Sequence, residues 1–140
     1  MRRIVLVAVV LACDTAAPAA LDRVPPGTWG GADAGLLVSD SGAHLHIGCT
    51  AGDLPAPIAL DSLGQFDVRG RYHVRLHPVV YGEPHPARFT GRVTGGTLTV
   101  LVALTDTAVV LGPVRLELGR EPGMTVCPIC RPLPGIPADR

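Results

Sequence analysis

The chain has 140 residues, with 12 arginines against 12 acidic residues, no lysine and a formal net charge of zero. This balance argues against a nucleic-acid partner, because a protein that binds phosphates usually carries a clear basic excess. Aromatic residues make up only 4% of the chain, which also argues against a surface on which bases stack.

The first thirteen residues have the parts of a secretory signal. Arg2 and Arg3 are followed by an uninterrupted apolar run over residues 4–12, and Cys13 comes next. A helix rises about 1.5 Å per residue, so this run falls far short of the roughly 30 Å hydrocarbon core and cannot be a transmembrane helix. We therefore expect residues 1–12 to be a signal peptide and the mature protein to lie outside the cytoplasm.

The end of this signal resembles the bacterial lipobox. In Val10-Leu11-Ala12-Cys13, an aliphatic residue stands three places before the cysteine and a small residue stands just before it. The resemblance implies lipidation of Cys13, cleavage before it and a mature protein anchored to a membrane of the cell envelope, inner or outer. Two or more acyl chains anchor a protein stably. The alternative is an ordinary signal cut after Ala17 or Ala20, which leaves no lipid.

The rest of the chain divides into a tether, a β domain and a tail. Residues 13–26 are rich in alanine and end in two prolines, which favours a flexible tether that stiffens toward polyproline II. Apolar and polar residues then alternate in segments separated by turn residues, which predicts an antiparallel all-β domain over residues 27–120. A long loop is predicted over residues 78–86, and an irregular, proline-rich tail over 121–140.

Particular residues within the domain carry the fold prediction. The clearest alternation covers residues 65–77, where Gly70 indicates a bulge or bend. Gly95-Gly96 lies between two alternating runs and indicates a hairpin. The segments predict seven or eight strands, arranged as a small up-and-down barrel or, alternatively, a two-sheet sandwich. Gly27-Thr28-Trp29 resembles the start of lipocalin-like and avidin-like barrels, where tryptophan closes one end, so we favour the barrel.

Three cysteines remain if Cys13 carries lipid. Cysteines pair in an oxidising compartment, so we expect a disulfide between Cys49 and Cys127, with Cys130 as the alternative partner. Closing a loop of that length contributes roughly 4 kcal/mol in the chain-entropy model. The rival hypothesis is a redox pair or a zinc site formed by Cys127 and Cys130. The sequence pattern around them predicts no helix and no βαβ unit, and the chain has no second cysteine pair, only Cys49 in addition.

Two further sets of side chains fall on the outer face of the predicted sheet. Histidines two or four apart on a strand share a face, so a metal site is one hypothesis and a solvated surface is the other. The arginines form a stripe that either meets anionic groups or is simply solvated. The histidines are His44, His46, His73 and His77, and the arginines are Arg69, Arg71, Arg75, Arg88 and Arg92.

No sequence motif indicates catalysis, since the chain has no Gly-x-Ser-x-Gly, P-loop, HExxH or EF-hand pattern. We therefore assign no catalytic residue, cofactor or metal. The mature domain resembles small uncharacterised exported β-domain proteins of environmental bacteria, and that resemblance implies no activity. The sequence favours a binding or interaction module for a small apolar ligand or an envelope component, with a structural envelope lipoprotein as the alternative. Small inward positions would mark an interior pocket; these are Ala43, Gly70, Ala87 and Gly91.

Overall fold

The structure is a computed structural model that describes residues 20–74, 82–124 and 127. Within these residues the regular secondary structure is entirely β. The strands are β1 (Gly27–Gly31), β2 (Ala34–Val38), β3 (Ala43–Ile47), β4 (Thr50–Leu54), β5 (Gln65–His73), β6 (His85–Thr94), β7 (Thr97–Leu104) and β8 (Val110–Leu118).

The eight strands form one closed antiparallel barrel in which each strand pairs with its sequence neighbours. The barrel closes where Trp29 and Gly30 of β1 pair with Leu118 and Glu117 of β8. The predicted up-and-down barrel is therefore confirmed, and the two-sheet sandwich is excluded. The described part of the chain contains no helix with the length and apolar character needed to cross a membrane.

The predicted hairpin at Gly95-Gly96 is present, with Thr94 paired to Thr97 and Gly95 at a φ of 59°. Of the bulge or bend expected at Gly70, a bulge between β5 and β6 is absent, because these strands pair in continuous register from Gln65 to Tyr72. A register shift lies instead between β7 and β8, opposite Val100 and Val102.

Gly70 has a different physical role from the predicted bulge. A Cβ at this position would lie 2.2 Å from the carbonyl oxygen of Asp53 and 2.8 Å from Cε2 of Phe89. The strand therefore needs a residue without a side chain, because a backbone and an aromatic ring approach closely there. Strand β6 begins at His85, so the end of the loop predicted over residues 78–86 belongs to a strand.

The core fills the inside of the barrel. Trp29, Tyr72 and Phe89 are fully buried, and the Tyr72 and Phe89 rings lie 6.1 Å apart between centroids. The Trp29 indole N–H donates a hydrogen bond to the carbonyl of Pro25 at 3.0 Å. An indole N–H inside an apolar core needs such a partner, so the residues before β1 help to complete the core.

Chain segments on both sides of the predicted domain also belong to it. Val24, within the predicted tether, is 2% exposed, and its N–H donates to the carbonyl of Ile58 at 2.9 Å. After β8, Gly123 pairs with the β1–β2 turn through hydrogen bonds to Gly31 and from Asp33. The folded unit thus extends beyond residues 27–120 at each end, because burial of Val24 and backbone pairing stabilise both segments.

Candidate functional site

The described residues fill the positions inside the barrel where small inward residues suggested a pocket. Ala43 and Ala87 are buried within the core. A Cβ on Gly91 would lie 2.6 Å from Cζ of Phe66, and the space at Gly70 is occupied by Phe89. Aromatic rings thus fill the room that these glycines leave. The expectation of a pocket at these four positions is corrected, and the outer wall becomes the place to look for a site.

A groove of about 340 Å³ lies on the outer wall, between β2, β3 and the segment that follows β8. The side chains of Leu37, Pro122 and Met124 give it apolar walls, while His44 and His46 line it from β3. Leu37 is 57% exposed and Met124 is 40% exposed. This is a concentration of solvent-facing apolar side chains next to two imidazoles.

The two imidazoles are linked to each other and to a carboxylate. His44 Nδ1 lies 2.6 Å from Oδ1 of Asp53, its partner across β3 and β4. His44 Nε2 lies 2.9 Å from Nε2 of His46, and the rings meet edge-on with centroids 4.7 Å apart. A carboxylate only accepts, so His44 donates from Nδ1 to Asp53. In a neutral His44, Nε2 then accepts a hydrogen bond from the Nε2–H of His46.

Of the other two histidines in the predicted set, the structure describes His73, which is separated from His46 by Ala51 of β4. His73 faces outward on β5 opposite Ala51, and His77 lies outside the described residues. His85 forms a separate pair with Asp106, with Nδ1 and Oδ2 2.8 Å apart. Within residues 20–74, 82–124 and 127, no group of three or more histidine, cysteine or acidic side chains is arranged to hold a metal ion. The four-histidine metal site was one of two hypotheses from the sequence, and because it includes His77 it lies partly outside the described residues.

Cys49 and Cys127 form a disulfide, with their Cα atoms 5.6 Å apart. This is the first of the two pairings that the sequence left open. Because the sulfur of Cys127 is bonded to Cys49, it is not available to form a redox or zinc pair with Cys130, which lies outside the described residues. The bond fastens the chain after β8 to the β3–β4 turn, where Cys127 also lines the groove.

The arginine stripe is partly neutralised. Arg88 donates two hydrogen bonds to the carboxylate of Asp67, and these bonds hold the pKa of Asp67 below its ordinary value. Arg69 lies opposite Arg88 across β5 and β6, and Arg71 lies opposite Pro86. Arg75 lies outside the described residues. Arg88 therefore contributes little to an anion-binding wall, because its charge is already paired with a carboxylate.

Sequence reasoning missed Asp53 and Met124. Asp53 reaches His44 only through the register of β3 with β4, and β4 was not predicted as a separate strand. Met124 lines the same groove as Leu37 only because the chain turns back over the wall after β8. The shared face of His44 and His46 was predictable, since their spacing of two on a strand fixes it.

Comparison with known protein families, with curated proteins and with solved structures finds no match for this chain. The class that the fold defines is the small, closed, eight-stranded antiparallel barrel. Since one fold can support many functions, a function has to be argued from the groove and its side chains.

Proposed function

We propose that the chain is a lipid-anchored extracytoplasmic binding module that takes a small apolar ligand on its outer wall. The observation that carries the binding proposal is the groove in which Leu37, Pro122 and Met124 face solvent beside His44 and His46. The proposed anchor rests on Cys13 and the apolar run before it.

The groove has the chemistry of a small-molecule site. Ligand pockets are mainly apolar, enclose about 300–1,000 Å³ and carry a few polar groups that orient the ligand. At about 340 Å³ this groove lies at the lower end of that range. The apolar walls would bury the body of the ligand, and the imidazoles would form hydrogen bonds to one polar end.

A second groove, of about 720 Å³, is less suited to an apolar ligand. It lies over β5, β6 and β7, and its lining includes the charged residues Asp61, Asp67 and Arg92. Contact with a purely apolar ligand would remove water from these charged groups without replacing their hydrogen bonds, which is unfavourable. We therefore place the proposed ligand in the smaller groove.

Binding can be tested by titrating the full chain with the apolar fluorophore anilinonaphthalene sulfonate. Leu37→Ser and Met124→Ser should each weaken binding at least about tenfold, since a buried leucine or methionine contributes about 1.5–3 kcal/mol. Val110→Ser is the matched control, because Val110 is 59% exposed on β8 and does not line this groove. Equal loss in all three variants, or no binding by the parent chain, would remove support for the groove.

The anchor is tested separately by expressing the parent chain and Cys13→Ser in a bacterial host and separating membranes from soluble proteins. We expect the parent in the membrane fraction and Cys13→Ser in the soluble fraction. Cys130→Ser is the control, since it also replaces a cysteine outside the disulfide. Unchanged partitioning of Cys13→Ser would contradict lipid attachment at that residue.

A further inference from the structure

We propose that His44 and His46 chelate a divalent transition-metal ion, with copper(II) as the best-fitting ion and Asp53 positioning His44. This inference goes beyond the apolar groove and does not depend on it, because chelation needs only the imidazole pair and its carboxylate partner. It differs from the four-histidine cluster considered from the sequence, since it uses two adjacent imidazoles.

The separation of the two nitrogen atoms favours chelation. His44 Nε2 and His46 Nε2 are 2.9 Å apart. Two nitrogens at this separation subtend about 90° at a metal ion with bonds of roughly 2.0 Å, whereas a tetrahedral angle would require about 3.3 Å. Neighbouring ligands at about 90° are those of tetragonal copper(II) or nickel(II) sites, and copper(II) binds most tightly among the divalent ions of the first transition row.

The position of Asp53 supports the same inference. A histidine that binds a metal through one ring nitrogen usually donates the other N–H to a carboxylate or carbonyl, which fixes its tautomer and orientation. His44 donates Nδ1–H to Asp53 at 2.6 Å. Its Nε2 therefore carries a lone pair on the side that faces His46, before any metal binds.

The backbone holds the pair in place. His44 and His46 are two residues apart on β3, a central strand that pairs with both β2 and β4. Their side chains therefore leave the same face of a strand that is hydrogen-bonded on both sides. On binding, the metal ion displaces the proton that Nε2 of His46 donates, and that proton is released to the solvent. Water molecules complete the coordination, since no third protein ligand is placed there among the described residues.

The experiment is a titration of copper(II) chloride into the full chain carrying Cys13→Ser and Cys130→Ser, which removes thiols that would reduce or bind copper. We expect one copper ion per chain and an electron paramagnetic resonance spectrum of a tetragonal site with two imidazole nitrogens. His44→Ala and His46→Ala should each weaken binding at least about tenfold and leave at most one of those nitrogens. Zinc(II) chloride should bind more weakly than copper(II).

His85→Ala is the matched control, since His85 also pairs with an aspartate and, among the described residues, has no hydrogen bond to a second imidazole. It should leave copper affinity and spectrum unchanged. Asp53→Asn should lower the affinity about 10- to 100-fold while keeping the two-nitrogen spectrum, as expected of a positioning residue. The proposal would be overturned if His44→Ala and His46→Ala bound copper as tightly as the parent chain. It would also be overturned if His85→Ala lost as much copper affinity as those two variants. Fluorophore binding by the same variants reports on the groove, so the two proposals can fail separately.

Discussion

Gly30 and Gly35 lie directly opposite each other on β1 and β2, and together they form a bare strip on the outer wall. A Cβ on Gly30 would lie 2.3 Å from the carbonyl oxygen of Arg120, and one on Gly35 would lie 2.5 Å from Cγ of Pro122. The strip thus lets the chain after β8 lie flat against the barrel. That path brings Met124 to the groove and Cys127 to Cys49.

Gly35→Ala should lift this segment from the wall. The added methyl group would overlap the Pro122 ring, and overpacking of this kind costs about 1–3 kcal/mol. Urea unfolding should show this loss, and fluorophore binding should weaken because Met124 is displaced. Gly96→Ala is the control, since nothing lies within 4 Å of its added Cβ. If the two variants unfold alike, the segment does not pack against Gly35.

Tyr72 and Thr50 have a hydrogen bond whose direction can be deduced. The Thr50 hydroxyl donates to the carbonyl of Ile47 at 2.6 Å and lies 2.7 Å from the Tyr72 hydroxyl. Since Thr50 has a single hydroxyl proton, Tyr72 must donate to Thr50. Tyr72→Phe should lower the free energy of unfolding at pH 7 by about 0.5–1.5 kcal/mol, measured by urea unfolding. No change there would mean that this bond contributes no net stability.

Alkaline pH should destabilise the protein through Tyr72. Burial raises the pKa of this phenol, whereas in the unfolded chain it titrates near its ordinary value of about 10. The contribution to stability is therefore complete below about pH 10 and is lost as pH rises through the raised pKa of the folded state. The chain has no lysine to titrate in this range. Tyr72→Phe should lose less stability between pH 9 and pH 11 than the parent. The same measurement on Tyr81→Phe gives the contribution of the other tyrosine to this loss of stability.

Cys127→Ser should unfold at lower urea concentration than Cys130→Ser. The Cys49–Cys127 bond closes a loop with a sequence separation of 78 residues, and removal of a native disulfide costs about 2–5 kcal/mol. Unfolding without reductant, together with intact mass before and after reduction, would measure both the loss and the pairing. A larger loss in Cys130→Ser would instead indicate the Cys49–Cys130 pairing.

Val24→Ala should destabilise the barrel although Val24 precedes its first strand. The side chain is 2% exposed, and removing two buried methyl groups costs about 1–3 kcal/mol with the cavity included. Leu21→Ala, at a position 46% exposed, is the control and should unfold like the parent. Parent-like unfolding of Val24→Ala would mean that residues 22–24 do not contribute to the cooperative unit.

Local alternation was sufficient to predict the barrel strands whose inner side chains are large. Strand β5 is recognisable from the sequence because its apolar residues alternate with polar ones, which separates a buried face from a solvent-exposed face. The apolar residues are Phe66, Val68 and Tyr72. Strand β4 was not predicted from the sequence, because its inward Gly52 has no apolar side chain to mark the inner face. A Cβ at Gly52 would lie 2.3 Å from the Tyr72 ring, so the neighbouring strand supplies the bulk that the pattern lacks.

The candidate site depends on contacts that lie far apart in sequence. The spacing of His44 and His46 predicted a shared face, but the hydrogen bond from His44 to Asp53 required the β3–β4 register. The groove required the return of the chain across Gly30 and Gly35. These relationships arise from packing between distant segments, for which local periodicity carries no signal.

The docking of Val24 beside Ile58 has a consequence for how the barrel stands at a membrane. With lipid on Cys13, the chain from residue 13 to residue 21 spans at most about 30 Å before Asp22 meets the barrel. In the proposed lipid-anchored protein, this limit would keep the barrel end formed by the β4–β5 loop near the bilayer. Cys49 lies in the β3–β4 turn, at the opposite end of β4 from that loop, so in the proposed anchored protein the disulfide would lie at the end farther from the attached segment. In the proposed anchored protein, the docking of residues 22–24 would therefore limit which end of the barrel can face the membrane as well as its distance from it.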